Sequence, residues 1–143
     1  MENLQDILFY TLEKSIKVYR QFAQHQLTMQ GFNITIDQWL VLKTLNEDPA
    51  QTQQQIAETT FKDYASVTRI IELLVKKEYL TRTMHQLDRR RFNLSLTENA
   101  YQLLKTMQPV IDNNRSVALN GISKNQTALL QDTLNIIIKN CQS

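Results

Sequence analysis

Asp88-Arg89-Arg90-Arg91 is the densest run of charge in the chain. Adjacent guanidinium groups repel one another until an anion neutralises them, and their planar forks suit phosphate and carboxylate oxygens. The sign of the charge around them is consistent. Residues 62–91 carry eight basic side chains (Lys62, Arg69, Lys76, Lys77, Arg82, Arg89, Arg90 and Arg91) against four acidic ones (Asp63, Glu72, Glu78 and Asp88). That stretch is therefore +4, on a chain of 143 residues whose net charge is +2, so the remainder is −2. A local positive field on a nearly neutral protein is what a phosphate-facing surface needs. The plain alternative is a solvated charged face.

Other residues able to do chemistry are sparse. There are two histidines, His25 and His85, and one cysteine, Cys141. One cysteine forms no internal disulfide, and no Cys or His pair has metal-ligand spacing. No Gly-rich phosphate loop, His-x-x-His pair or nucleophile elbow occurs. The sequence thus reads as a non-enzyme with no cofactor and no metal. The opening MENLQDILFYTLEK carries acids early and no long apolar run, unlike a secretory signal. No stretch approaches the 18 consecutive apolar residues of a membrane span. A reducing cytoplasm is the expected setting, without membrane association.

The basic stretch needs elements to position it. Thr52-Gln53-Gln54-Gln55 has capping-box spacing, and a short helix with Ile56 and Ala57 inward should end near Thr60. Asp63 can cap the next helix, from Tyr64 to about Glu78, with an inner stripe of Val67, Ile70, Ile71 and Leu74. Ser66, Arg69, Leu73 and Lys77 lie on its other face. Then the period changes to two. Leu80, Arg82 and Met84 alternate with Thr81 and Thr83, and Phe92, Leu94 and Leu96 with Arg91, Asn93 and Ser95. That is a two-stranded hairpin with a basic tip, whose apolar face must rest on the helices before it.

Two short-linked helices followed by a basic hairpin predict a winged helix-turn-helix over residues 52–97. Such a unit places its second helix in the major groove of double-stranded DNA. Arg69 would read base edges. Thr52, Gln53, Lys62, Tyr64, Ser66, Thr68 and Arg82 would contact bases or phosphates. Arg89, Arg90 and Arg91 on the wing would hold phosphates or enter the minor groove, with Asp88 fixing the wing's shape. The competing reading is a winged helix used for protein–protein contact without direct DNA binding.

The flanks are helical. Residues 4–29 show a stripe of Leu4, Ile7, Leu8, Leu12, Ile16, Tyr19, Ala23 and Leu27, and Gly31 stops them. Thr35 with Gln38 caps a helix running to about Asn46. A helix after Thr97 should bend at Pro109 and stop at Asn120-Gly121. Ser123 with Gln126 opens a last helix carrying Leu130, Leu134, Ile137, Ile138 and Cys141. The chain is expected to be mainly α: a winged helix-turn-helix with long N- and C-terminal dimerisation helices. Its divisions are an arm at 1–34, a DNA-binding domain at 35–99 and C-terminal dimerisation helices at 100–143. The arms are too long and too apolar for one small domain, so a homodimer should bury them. Tyr19, Phe22, Phe32, Trp39 and Tyr101 sit on elements around the junction of arms and winged unit, where a ligand cavity is expected.

Several segments resemble the MarR family of bacterial transcription regulators. Thr52-Gln53-Gln54-Gln55-Ile56-Ala57-Glu58 resembles the second helix of its DNA-binding unit, and Ser66-Val67-Thr68-Arg69-Ile70-Ile71 the core of its recognition helix. Asp88-Arg89-Arg90-Arg91-Phe92-Asn93-Leu94-Ser95-Leu96-Thr97 is similar to its wing, with Asp88 and Arg90 as the matching pair. Ile36-Asp37-Gln38-Trp39-Leu40-Val41-Leu42 resembles the opening of its first core helix. The resemblance spans residues 4–140. It implies homodimers on pseudo-palindromic operators, with many members acting as repressors released by small aromatic or phenolic effectors. It also implies glycine where this chain has Phe61 and Tyr79, so altered backbone angles are expected at those two turns.

Overall fold

The computed structural model describes residues 1–88 and 92–142. A short 3-10 turn, Leu4–Asp6, precedes α1 (Leu8–Met29). Then come α2 (Ile36–Glu47), α3 (Gln53–Thr59), α4 (Tyr64–Lys76), β1 (Leu80–Met84), β2 (Phe92–Leu96), α5 (Glu98–Ala118) and α6 (Lys124–Gln142). The long first helix read from the apolar stripe is thus interrupted once. Ile7 is extended, at φ −85° and ψ 120°, and separates the 3-10 turn from α1.

The helix starts follow local chemistry. Thr35 Oγ1 accepts from the Gln38 amide and Gln38 Oε1 from the Thr35 amide, and Thr52 and Gln55 repeat that reciprocal pair. Ser123 and Gln126 do the same for α6. Asp63 and Thr97 cap α4 and α5. Pro109 does not divide α5, which runs through it as one helix. The proline deletes one backbone donor, but Met107, Ile111 and Asn114 stay buried on either side of it and hold the helix together.

One core serves the winged unit. Val41, Leu42 and Leu45 of α2 meet Ile56 and Ala57 of α3, Val67, Ile71 and Leu74 of α4, Leu80, Leu94, and Ala100 and Met107 of α5. Fully burying a side chain such as Ile71 or Leu74 contributes about 1.5–3 kcal/mol. β1 and β2 are antiparallel, with Leu80 opposite Leu96, Arg82 opposite Leu94 and Met84 opposite Phe92. Only the base of this hairpin rests on the helices. Leu80 and Leu94 are buried, whereas Met84 and Phe92 toward the tip are exposed. Thr97 closes the base: its amide donates to the Tyr79 carbonyl and its hydroxyl to the Glu78 carbonyl.

Both turns read as lacking glycine correct the sequence expectation. Phe61 adopts φ +59°, the left-handed angle glycine would have taken, so the backbone there is not altered. At the second turn the left-handed residue is Glu78, φ +65°, one place before Tyr79. Each closes a helix in the same way. The Lys62 amide reaches back to the Ala57 carbonyl and the Tyr79 amide to the Leu74 carbonyl, as the Phe32 amide does to the Leu27 carbonyl around Gly31. Capturing otherwise orphaned carbonyls offsets the strain of a side chain in this region.

Phe61 is 93% exposed, so its ring gains little from packing. Phe61→Gly should therefore stabilise the fold by about 0.5–1 kcal/mol, because relief of the left-handed strain exceeds the extra chain entropy of glycine. Urea titration followed by circular dichroism measures this, and a clear loss of stability would show that the ring is held by contacts.

Candidate nucleic-acid interface

α3 and α4 form the helix-turn-helix, and the hairpin stands beside it. Arg69 is exposed on the outside of α4 and, among the described residues, forms no ion pair within 4 Å. Tyr64 is half exposed at the start of the same helix. The hydroxyl-bearing residues nearby are already engaged. Thr52 caps α3, and Ser66 Oγ donates to Asp63 Oδ2 at 3.0 Å. Thr68 Oγ1 donates to the Tyr64 carbonyl and accepts from Gln53 Nε2. Their structural work is to shape the start of α4 and to lock α3 onto it. Arg69 and Tyr64 remain the side chains best free to reach out.

Other predicted contacts are more constrained. The Arg82 guanidinium lies 4.5 Å from the centroid of the Phe92 ring, a cation–π contact that stiffens the hairpin. Lys77, placed on the outer face of α4 by its spacing, instead turns inward: Nζ donates to the Asn33 carbonyl at 2.9 Å and to Gln38 Oε1 at 3.3 Å. Arg89, Arg90 and Arg91 lie outside the described residues. Asp88 is half-buried, and its amide and that of Leu87 donate to His85 Nδ1, both at 3.1 Å. His85 thus organises the approach to the wing tip, a role that its place in a turn did not reveal.

Lys62 reveals a second missed group. Its Nζ lies 2.9 Å from Asp37 Oδ2, and the Arg20 guanidinium hydrogen-bonds Oδ1 of the same carboxylate. One acid therefore joins α1, the first turn of α2 and the turn before α4. Burial pushes the Asp37 carboxyl up. Hydrogen bonds from Lys62 and Arg20, with their positive charges, outweigh that and hold it below the usual carboxylate range. Asp63, capping α4, is also held low, first by the Ser66 amide and then by the Ser66 hydroxyl.

The arms meet the winged unit at a cavity of about 180 Å³ between α1, α2 and α5. Tyr19 and Trp39 line it with Ala23, Leu27 and Ile111, while Arg20 and Arg115 supply positive charge. Asn114 reaches it too; it is 1% exposed and its Oδ1 accepts no hydrogen bond. Tyr101 faces a separate groove, shared with the far side of Trp39 and with Lys43 and Lys105. Phe22 and Phe32 are half-buried and are not brought into the cavity. Asn114 gave no signal in sequence, since a polar residue in an amphipathic helix ordinarily faces solvent.

Among the described residues, no helix is long and apolar enough to cross a membrane. The fold has close counterparts. A Bordetella bronchiseptica protein, BpsR, whose DNA binding is regulated by 6-hydroxynicotinic acid, superposes with a TM-score of 0.86 at 19% identity, over 96% of each chain. Staphylococcus aureus MepR in complex with DNA gives 0.83 at 20%, over 94% of this chain and 98% of that one. A mutant E. coli MarR with operator DNA gives 0.83 at 17%, over 91% and 92%.

Asp37 predicts a pH signature. Its carboxyl is low in the folded state, so its contribution to stability is fully present above the ordinary carboxylate value, about 4. It is lost as pH falls through the lower folded value. The gap in melting temperature between the native chain and Asp37→Asn should stay level from pH 7 to 5 and close below pH 4. A gap that persists unchanged to pH 2.5 would remove the ion pairs as its cause.

The family model described as the MarR family matches residues 31–91, which run from the loop before α2 into the wing. With the capped helix-turn-helix, the hairpin and the long flanking helices around it, the chain shares the fold of these solved structures, and its segment 31–91 is similar to the MarR family.

Proposed function

We propose that the chain is a sequence-specific, double-stranded-DNA-binding regulator that acts as a homodimer on a pseudo-palindromic operator. We further propose that it is a repressor released by a small aromatic effector. The observation that carries the DNA reading is the outer face of α4. Arg69 is exposed there without an ion-pair partner among the described residues, beside a hairpin that leads into Asp88-Arg89-Arg90-Arg91. Arg69 reads a base edge, with guanine O6 and N7 as the geometric match. Tyr64, Gln53 and Lys62 contribute phosphate or base contacts, and the wing arginines anchor the backbone. Likeness to MepR and MarR, both solved with DNA, supports this placement.

The dimer reading rests on apolar surface that one chain leaves uncovered. α6 has no buried residue, and Leu129, Leu130, Ile136 and Ile138 are all more than half exposed. Leu8, Phe9, Ile16 and Val18 of α1 are exposed in the same way. Exposed apolar area on this scale marks an interface. Two copies joined through residues 1–34 and 100–143 would set two winged units at half-site spacing.

The effector reading rests on the α1–α2–α5 cavity. At about 180 Å³ it is smaller than the roughly 300–1,000 Å³ that holds drug-sized ligands, and it suits a single ring. Tyr19 and Trp39 offer faces to such a ring. Asn114 Oδ1 asks for a hydroxyl donor, and Arg20 and Arg115 for an anionic substituent. A hydroxylated aromatic acid meets all three requirements. BpsR, regulated by 6-hydroxynicotinic acid, has the same fold.

Three outcomes test the reading. In fluorescence anisotropy with mixed genomic duplexes, affinity should fall steeply between 50 and 200 mM salt, on the order of 10³-fold if about six phosphates are contacted. Absence of binding at low salt would favour the protein–protein alternative. Arg69→Ala should lose about 1–3 kcal/mol of discrimination at one or two base pairs of a selected operator. By light scattering, the native chain should be a dimer at micromolar concentration, and the double variant Leu130→Asp/Ile138→Asp a monomer.

A further inference from the structure

We propose that Asp37 couples the α1–α2–α5 cavity antagonistically to the DNA-facing surface: an anion held by Arg20 leaves Asp37 to Lys62 alone, and Lys62 is then withheld from phosphate. The inference rests on the reading of the cavity as an anion site and of α4 as the DNA-facing helix. It adds the route between them.

The geometry supplies that route through one carboxylate. Arg20 occupies Oδ1 of Asp37 and Lys62 occupies Oδ2. Arg20 also lines the cavity. Lys62 directly precedes Asp63, whose side chain caps α4. All three side chains are about one-third exposed, so the pairs can exchange partners without stranding a buried charge.

Counting charge gives the sign. Two cations share one anion, so the cluster carries an excess of +1. With Arg20 available to satisfy Asp37, Lys62 can turn to a DNA phosphate while the carboxylate stays paired. An aromatic carboxylate in the cavity takes up the charge of Arg20. Asp37 then has Lys62 as its remaining counter-ion, and drawing Lys62 away strands an acid. Ligand and DNA therefore oppose each other, and by linkage DNA weakens the ligand by the same factor.

A mutant cycle on the full chain decides the matter, read by anisotropy on duplex DNA at fixed salt. Arg20→Gln should weaken DNA binding about threefold in the native background, the scale of one partly exposed ion pair. In the Asp37→Asn background the same change should have almost no effect, because the carboxylate that transmits it is gone. Salicylate should weaken DNA binding of the native chain, and neutral 2-hydroxybenzamide should not. In Asp37→Asn, salicylate should still quench Trp39, the single tryptophan and a wall of the cavity, yet leave DNA affinity in place. Equal effects of Arg20→Gln in both backgrounds, or salicylate release that survives Asp37→Asn, would overturn the coupling. Trp39 fluorescence unmoved by salicylate would instead count against the cavity reading, with the mutant cycle still deciding the route. A native chain that binds no duplex at low salt would remove both readings together.

Discussion

The orientation of the winged unit depends on how α2 is hung from α1. The Gln24 side chain spans that joint: its Nε2 donates to the Ile34 carbonyl at 3.1 Å and its Oε1 accepts from the Ile36 amide at 2.9 Å. One amide thus satisfies two backbone groups just where a loop becomes a helix, and leaves neither of its own polar atoms idle. Arg20, one turn earlier on α1, reaches Asp37. Lys77 closes the joint from below, on the Asn33 carbonyl and Gln38. Polar contacts with defined directions fix an angle better than apolar packing, which tolerates sliding. The core gives the winged unit its stability, and this joint gives it a bearing relative to the arm.

The same joint explains why apolar surface accumulates elsewhere. Of α1, only Ala23 and Leu27 are buried, both at the end next to the joint, and the helix then runs away from the core. α5 repeats the arrangement, buried through Ile111 and Asn114 and exposed beyond. α6 continues outward with no core to meet. A single chain therefore builds a packed winged unit and an unpacked arm. The cavity lies at their border, between helices that converge at the joint and then part.

How much of this was legible varied with the range of the interaction. The helix starts at Thr35, Thr52, Asp63 and Thr97 were readable, because a cap and its partner lie within three residues. The hairpin was readable from its period of two. The sequence marks turns near Phe61 and Tyr79, but not that Phe61 and Glu78 take the left-handed angles there. Composition says which residue is comfortable in a left-handed angle, whereas the closing hydrogen bonds decide which residue must adopt it. Tyr19 and Trp39 were placed at the cavity from their position on converging helices. Asn114 was not, because nothing local distinguishes a buried asparagine from a solvated one.

The sequence by itself determined the order of elements, the winged helix-turn-helix and the basic character of residues 62–91, since each follows from neighbours along the chain. Only the tertiary structure decided what the individual charges do. Asp88-Arg89-Arg90-Arg91 marks a phosphate-seeking run in sequence, and the structure adds that His85 shapes its approach. Lys62 counted as one more positive charge until folding set it against Asp37, together with an arginine 42 residues earlier on another helix. Charge pairs across such separations depend on where helices cross. That angle is set by the packed core and the joint as a whole, so no local pattern records it.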